Sequence, residues 1–185
     1  MIFLLIIWVL LTSCSVKVAQ RCADEKRVIA EYTLNHVPRE FRIYGHFKYG
    51  PVKFPMIIAK YDGFYTVKVA KVKDVSIRRD RICARGKCYL LPLLPEDIIF
   101  GKVLSGTEYS FCRGGRTVFR ERMGVYDKIV VFEGGKLREL IIVNRKNGRG
   151  LKITFGSRSE RGYFREIGFE MNGEKVKLEI EEVEV

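Results

Sequence analysis

From residue 107 to the C-terminus the chain runs in short stretches where apolar residues recur at every second position. Each stretch ends at a two-residue turn signal: Gly114-Gly115, Gly134-Gly135, Asn147-Gly148 or Asn172-Gly173. No other feature limits the fold so tightly. Period two puts alternate side chains on opposite faces of a strand, and turns that tolerate positive φ join such strands antiparallel. The last stretch is the clearest, with Val176, Leu178 and Ile180 on one face against Lys175, Lys177, Glu179 and Glu181 on the other. The pattern also holds earlier. Phe41, Ile43, Gly45, Phe47 and Tyr49 share one face of a strand at 41–49, and Arg42, Tyr44, His46 and Lys48 share the other. Asp62-Gly63 then joins a strand at 53–61, with Phe54, Met56 and Ile58 on one side, to a strand at 64–70. Shorter strands are expected at 75–79, 81–84 and 87–91, and further ones at 107–113, 116–123, 128–133, 137–144, 150–155, 163–171 and 174–183. The fold class is α+β, mostly β: a single antiparallel sheet of about eleven strands, with a few helices.

Two stretches break the alternation. Between 18 and 37 the apolar residues Val18, Cys22, Val28, Ile29 and Tyr32 fall on one helical stripe, and Pro38 ends it. At Leu94-Pro95-Glu96-Asp97 a proline stands at the first helical position with acids in the first turn, where they suit the helix dipole. This second helix is expected to run to Leu104 and stop at Ser105-Gly106. It is apolar over most of its circumference and must lie against something apolar.

The N-terminus sets the compartment. Residues 2–11 form an uninterrupted apolar run of about ten residues, whereas a spanning helix takes about twenty. The run reads as the core of an export signal, although no Lys or Arg precedes it. Leu11-Thr12-Ser13-Cys14 resembles the lipobox of bacterial lipoproteins, which implies cleavage before Cys14 and a diacylglyceryl group on its thiol. Residues 1–13 are then a signal peptide, 14–17 a lipidated tether and 18–185 one domain. The formal charge of +12 stays with the mature part. It suits an anionic lipid or an acidic partner, and export makes nucleic acid the least fitting of the three. Residues 42–88 hold twelve Lys or Arg against Asp62, Asp74 and Asp80. Lipidation of Cys14 leaves Cys22, Cys83, Cys88 and Cys112, which could form two disulfides in three connectivities. Cys83–Cys88 is favoured across the turn at Ala84-Arg85-Gly86-Lys87, leaving Cys22–Cys112 as a provisional second bridge. A zinc site is the rival, but the spacing is no finger pattern and the only histidines are His36 and His46.

No catalytic constellation stands out, and neither a metal nor a cofactor is expected. Gly101 and Gly106 have the spacing of a phosphate-binding loop, but Thr107-Glu108 stands where that loop needs Lys and Ser or Thr. Glu96 and Asp97 are explained by a helix N-terminus, and His46 by a solvated strand face. The chain reads as a binding protein and not as an enzyme.

Four stretches together resemble the LolB family of outer-membrane lipoprotein receptors. They are Leu11-Thr12-Ser13-Cys14-Ser15-Val16 at the processing site, Phe41-Arg42-Ile43-Tyr44-Gly45-His46-Phe47 as the first strand, the proline-led segment from Leu93 to Gly106 as a lid helix, and 150–156 with 175–181 as the last strands. The resemblance implies an incomplete barrel whose open side is covered by helices, with an apolar cavity for lipoprotein acyl chains between sheet and lid. Ile43, Phe47, Met56, Ile58, Val67 and Val69 would line it from the sheet, and Ile98, Ile99, Val103 and Leu104 from the lid. It also implies a monomer anchored in the outer membrane, facing the periplasm and receiving cargo from a LolA-like carrier. A membrane-contact loop at 70–74 would have Val72 as its tip and Lys71 and Lys73 for anionic headgroups. Two other readings stay open: a lipoprotein on the same fold carrying glycolipid or phospholipid, and a structural envelope lipoprotein whose interior is packed core.

Overall fold

The structure is a computed structural model and describes residues 37–70, 75–78, 81–84, 87–90 and 93–185. The expected signal peptide, Cys14, Cys22 and the membrane-contact residues Lys71, Val72 and Lys73 lie outside the described residues, as does the helix expected at 18–37 but for Val37.

The described elements in order are β1 (Phe41–Tyr49), β2 (Val52–Tyr61), β3 (Phe64–Val69), β4 (Val75–Arg78), β5 (Arg81–Ala84), β6 (Lys87–Leu90), α1 (Pro95–Phe100), β7 (Tyr109–Arg113), β8 (Arg116–Met123), β9 (Tyr126–Glu133), β10 (Lys136–Asn144), β11 (Gly150–Phe155), β12 (Glu166–Met171) and β13 (Glu174–Glu184). Ten strands form one antiparallel sheet in the order β3-β2-β1-β13-β12-β11-β10-β9-β8-β7, while β4, β5 and β6 form a small sheet of their own. The fold is mostly β, an incomplete barrel with few helices, as the alternation requires. The single sheet of about eleven strands divides in two because the three four-residue strands pair only with one another. Within that small sheet Cys83 and Cys88 are opposite each other in register.

A meander in strict sequence order would leave β1 at an edge. Here β1 pairs with β13, so the two ends of the sheet-forming chain meet near its middle. The opening then falls between β3 and β7, which are joined by the stretch containing the small sheet, α1 and residues 101–108. This connection is the part of the chain that can cover the opening.

The β1–β13 pairing carries a bulge. Tyr44 faces Glu182 but Gly45 faces Ile180, so Glu181 is an extra residue pushed out of the ladder. Gly45 is needed there, since a Cβ would collide with the carbonyl oxygen of Glu179.

The face turned toward α1 is apolar across its width. One row runs Phe119, Val130, Leu140, Ile153, Phe169, Val176 through six neighbouring strands. Val130, Leu140 and Ile153 are inaccessible to solvent, as are Ile43, Phe132 and Ile167. At about 1.5–3 kcal/mol for each fully buried large side chain, this face is the main source of stability.

Helix α1 starts as its sequence directs. Pro95 occupies the first turn, and Asp97 Oδ2 accepts from the Leu94 backbone N–H at 3.4 Å. It stops four residues sooner than expected, at Phe100 and not at Leu104, because Gly101 turns left-handed at φ 77° and caps it. A Cβ at position 101 would lie 2.7 Å from Cε2 of Phe164. Val103 and Leu104 follow it as buried, non-helical chain. The strand expected at 163–171 begins only at Glu166. Tyr163 and Phe164 belong to the loop before it: the Phe164 N–H donates to Ile99 O at 2.9 Å, and its ring packs on Phe155 at 4.8 Å.

Candidate functional site

Nine of the ten apolar residues expected around a cavity are met on the inner face or the lid opposite it, in contact with a single core. Ile43, Met56 and Ile58 from the sheet and Ile98, Ile99, Val103 and Leu104 from the lid are buried in that cluster, and Val67 and Val69 pack against it half-buried. Phe41 and Phe100 join sheet to lid edge-to-face at 5.8 Å. The exception is Phe47, which is half-buried and outside the cluster. All these contacts are apolar. Apart from the Phe164 N–H to Ile99 O bond, the polar contacts of the lid are concentrated at its two ends.

At the β3 end, Lys60 and Tyr65 face each other across the β2–β3 ladder on the inner side, and both reach Glu96 of α1. Lys60 Nζ lies 2.6 Å from Glu96 Oε1, and the Tyr65 hydroxyl donates to Glu96 Oε2. The Glu96 side chain is almost fully buried. Burial, together with the carboxylate it serves, pushes the Tyr65 phenol far above its usual range, so it remains a donor. Burial and the nearby Glu96 charge also push the Asp97 carboxyl upward. The helix N-terminus therefore accounts for Asp97 but not for Glu96, whose role is to hold the lid to the sheet.

At the β7 end, Lys128 and Glu121 are opposite in the β8–β9 register, and Glu108 arrives from the segment after the lid. Lys128 Nζ lies 2.7 Å from Glu108 Oε1 and 2.5 Å from Glu121 Oε2; the second is a close charge contact without hydrogen-bond alignment. Only 2 % of the Lys128 side chain and 2 % of the Glu108 side chain are exposed. Backbone N–H groups of Ser105 and Gly106 donate to Glu108 at 2.8 and 2.9 Å, and the Thr107 hydroxyl donates to Glu121 Oε1 at 2.6 Å. Burial alone would raise the Glu108 carboxyl, but the bonds from Lys128 and Ser105 outweigh it and hold the group at about 2. Glu121 is shifted down by the same balance, with Lys128 and Thr107 outweighing burial.

The sequence reading missed both clusters. A signal for one was present: Lys128 is in phase with Val130 and Phe132, so a cation was bound to point into the core with them. Lys60 likewise follows Met56 and Ile58 by twos.

Two grooves lie on the outer face among the described residues. One, of about 580 Å³, runs over Thr154 and Gly168 between Lys48, Lys152, Lys175 and Lys177. Its cations are matched by carboxylates: Glu179, gripped by Lys48 and Lys53 at 2.7 and 3.1 Å, is held down at about 2. The other, of about 540 Å³, includes Tyr44, Pro55, Ile57, Lys68 and Ala70, with His46 Nδ1 2.9 Å from the bulged Glu181. His46 is therefore set against a carboxylate on a partly covered surface. Cys112 is disulfide-bonded, and Cys22, its expected partner, lies outside the described residues. No group of three or more His, Cys, Asp or Glu suited to a metal ion occurs among the described residues. Compared with known proteins, the chain matches no family model and no curated sequence.

Proposed function

We propose that this chain is a lipid-anchored outer-membrane protein that takes up acyl chains of lipoproteins between its inner sheet face and α1. It would receive them from a LolA-like periplasmic carrier, pass them to the membrane, and catalyse no covalent step. One observation carries the reading: between its ends the lid meets the sheet through apolar side chains, and a buried ionic cluster fastens it at each end. Releasing the fastenings would uncover a continuous apolar surface while leaving every strand pairing intact. Such a surface suits acyl chains, each CH₂ of which gains about 0.8 kcal/mol on leaving water. Exchange between two sites of this kind needs only a difference in affinity.

A second reading has its own support. The inner face is inaccessible to solvent at Ile43, Val130 and Ile153, as in a structural envelope lipoprotein with a packed core. Mass spectrometry of lipid co-purified with a Cys14→Ser protein separates the two, and lipid identity distinguishes lipoprotein cargo from glycolipid or phospholipid. Ile99→Glu should abolish binding of a fluorescent acyl probe with the β-sheet circular dichroism unchanged. A protein free of lipid that takes up no probe would favour the structural reading, and probe binding unaltered by Ile99→Glu would refute an acyl site beneath α1.

A further inference from the structure

The two fastenings of the lid differ in what they leave behind on the sheet. At the β7 end the sheet carries its own counter-charge: Lys128 of β9 is opposite Glu121 of β8, with 2.5 Å between Nζ and Oε2. That cation keeps a partner whether or not Glu108 stays. At the β3 end the sheet supplies donors alone. Lys60 has Phe41 on one side in the ladder and Tyr65 on the other, and its ammonium lies 5.7 Å from the centre of the Tyr65 ring. Its one ion-pair partner among the described residues is Glu96. Asp97, whose carboxyl also feels the Lys60 charge, is on the same helix and would leave with it. The Lys60 side chain is only 16 % exposed even with the helix in place as its partner. Once the lid lifts and an acyl chain fills the space, the ammonium and the Tyr65 hydroxyl need another acceptor, because a charge left unpaired in apolar surroundings is costly.

These donors also stand where an acyl chain would end. Met56, Ile58 and Lys60 follow one another along the inner side of β2, opposite Val69, Val67 and Tyr65 of β3. Both rows are apolar up to the last pair and polar there. Glu96 shows what that pair holds: Lys60 Nζ meets one carboxylate oxygen at 2.6 Å, and the Tyr65 hydroxyl donates to the other. We propose that Lys60 and Tyr65 form a head-group subsite for a carboxylate on the acyl-bearing ligand, and that Glu96 fills it while the lid is closed. Resting on the proposed function, this makes ligand entry an exchange of one carboxylate for another. The incoming acid takes both donors as Glu96 moves to water with α1, so no cation is stranded on the sheet. A neutral ester or amide in the same place would leave Lys60 without its charge-assisted bond. The class of ligand is an acyl chain with an acid group beside its head.

The test titrates the Cys14→Ser protein, stripped of co-purified lipid, with cis-parinaric acid and with its methyl ester, fluorescent probes that differ only at the head. The acid should bind about tenfold more tightly than the ester, the size expected of one hydrogen bond to a charged group. Lys60→Met combined with Glu96→Gln removes the cation without stranding an acid, and should bring the two affinities together. Glu96→Gln alone should widen the difference, since the subsite loses its internal occupant; a loosened lid by itself would raise both affinities equally. Equal affinities in the native protein, or a preference for the acid that survives the loss of Lys60, would overturn the subsite and leave the acyl site standing. Displacement of the probe by dodecyl phosphate more readily than by laurate would overturn the assignment to a carboxylate. Binding of neither probe would overturn both proposals together.

Discussion

Replacing Lys128 with Met gives the sharpest test of how the lid is held. The substitution keeps most of the side-chain stem and removes the ammonium that faces Glu108 and Glu121. In the native protein a Glu108 carboxyl held near 2, against its usual 4.5, contributes about 3 kcal/mol at neutral pH. Because the folded value is the lower one, this contribution is complete above pH 4.5 and is lost as pH falls from there toward 2. Glu121, also shifted down, acts in the same sense. Without Lys128 both carboxylates stay buried and repel each other, and breaking a buried pair in this way typically costs about 3–5 kcal/mol. The carboxyl values should then rise, so protonating one acid relieves the variant. Guanidinium denaturation at pH 7 and at pH 3.5 measures the effect. Lys128→Met should be about 3 kcal/mol less stable than the native protein at pH 7, with the gap narrowing at pH 3.5. Adding Glu108→Gln and Glu121→Gln should recover most of the loss. A cost below about 1 kcal/mol at pH 7, or a gap that does not change with pH, would refute the argument that Lys128 neutralises this end of the lid.

Three other outcomes follow from the same structure. Glu96→Gln takes the charge from Lys60's partner at the β3 end, so amide exchange in 97–100 should quicken by about tenfold while that in β10–β13 keeps its native rate; equal protection throughout would contradict the fastening. Gly101→Ala meets both a left-handed φ and the Phe164 ring, and should lower stability by more than about 1 kcal/mol, read as a fall in Tm. Cys14→Ser should move the protein from the membrane to the soluble fraction without loss of acyl-probe binding, and a variant that stays membrane-bound at high salt would count against the anchor.

The sheet was largely readable because its signals are local. The alternation of Lys175–Glu181 with Val176, Leu178 and Ile180, and the glycine turns, depend on neighbours in sequence, and nine of the ten main strands follow from them within two residues. The tenth, β12, is three residues shorter than its apolar pattern suggests, since Tyr163 and Phe164 are apolar for packing within the core and not for a ladder. What could not be read is non-local. Nothing in Phe41–Tyr49 names β13 as its partner, and nothing in Val75–Leu90 says that those strands leave the main sheet. The end of α1 is hidden in the sequence for another reason: Val103 and Leu104 are buried beyond the helix, and apolar residues buried there look the same as a helical stripe. Of the candidate site, the apolar part was visible as inward positions. The charged part was not, because a Lys or Glu in phase with apolar neighbours is normally read as an exposed residue out of register.

The pairing of β1 with β13 also governs when the sheet can form. Lys48 and Glu179, which meet across that ladder, are 131 residues apart in the chain. Loop closure over such a span rises only slowly with length, but contacts between distant residues make folding slow. Until the last dozen residues exist, β1–β2–β3 is a hairpin stack with an open edge, and β7 to β12 form a second fragment that nothing joins to it. A chain made from its N-terminus would thus hold its main sheet in two pieces until β13 was added. β13 is at once the last of the described strands in chain order and the one that joins the two halves of the sheet.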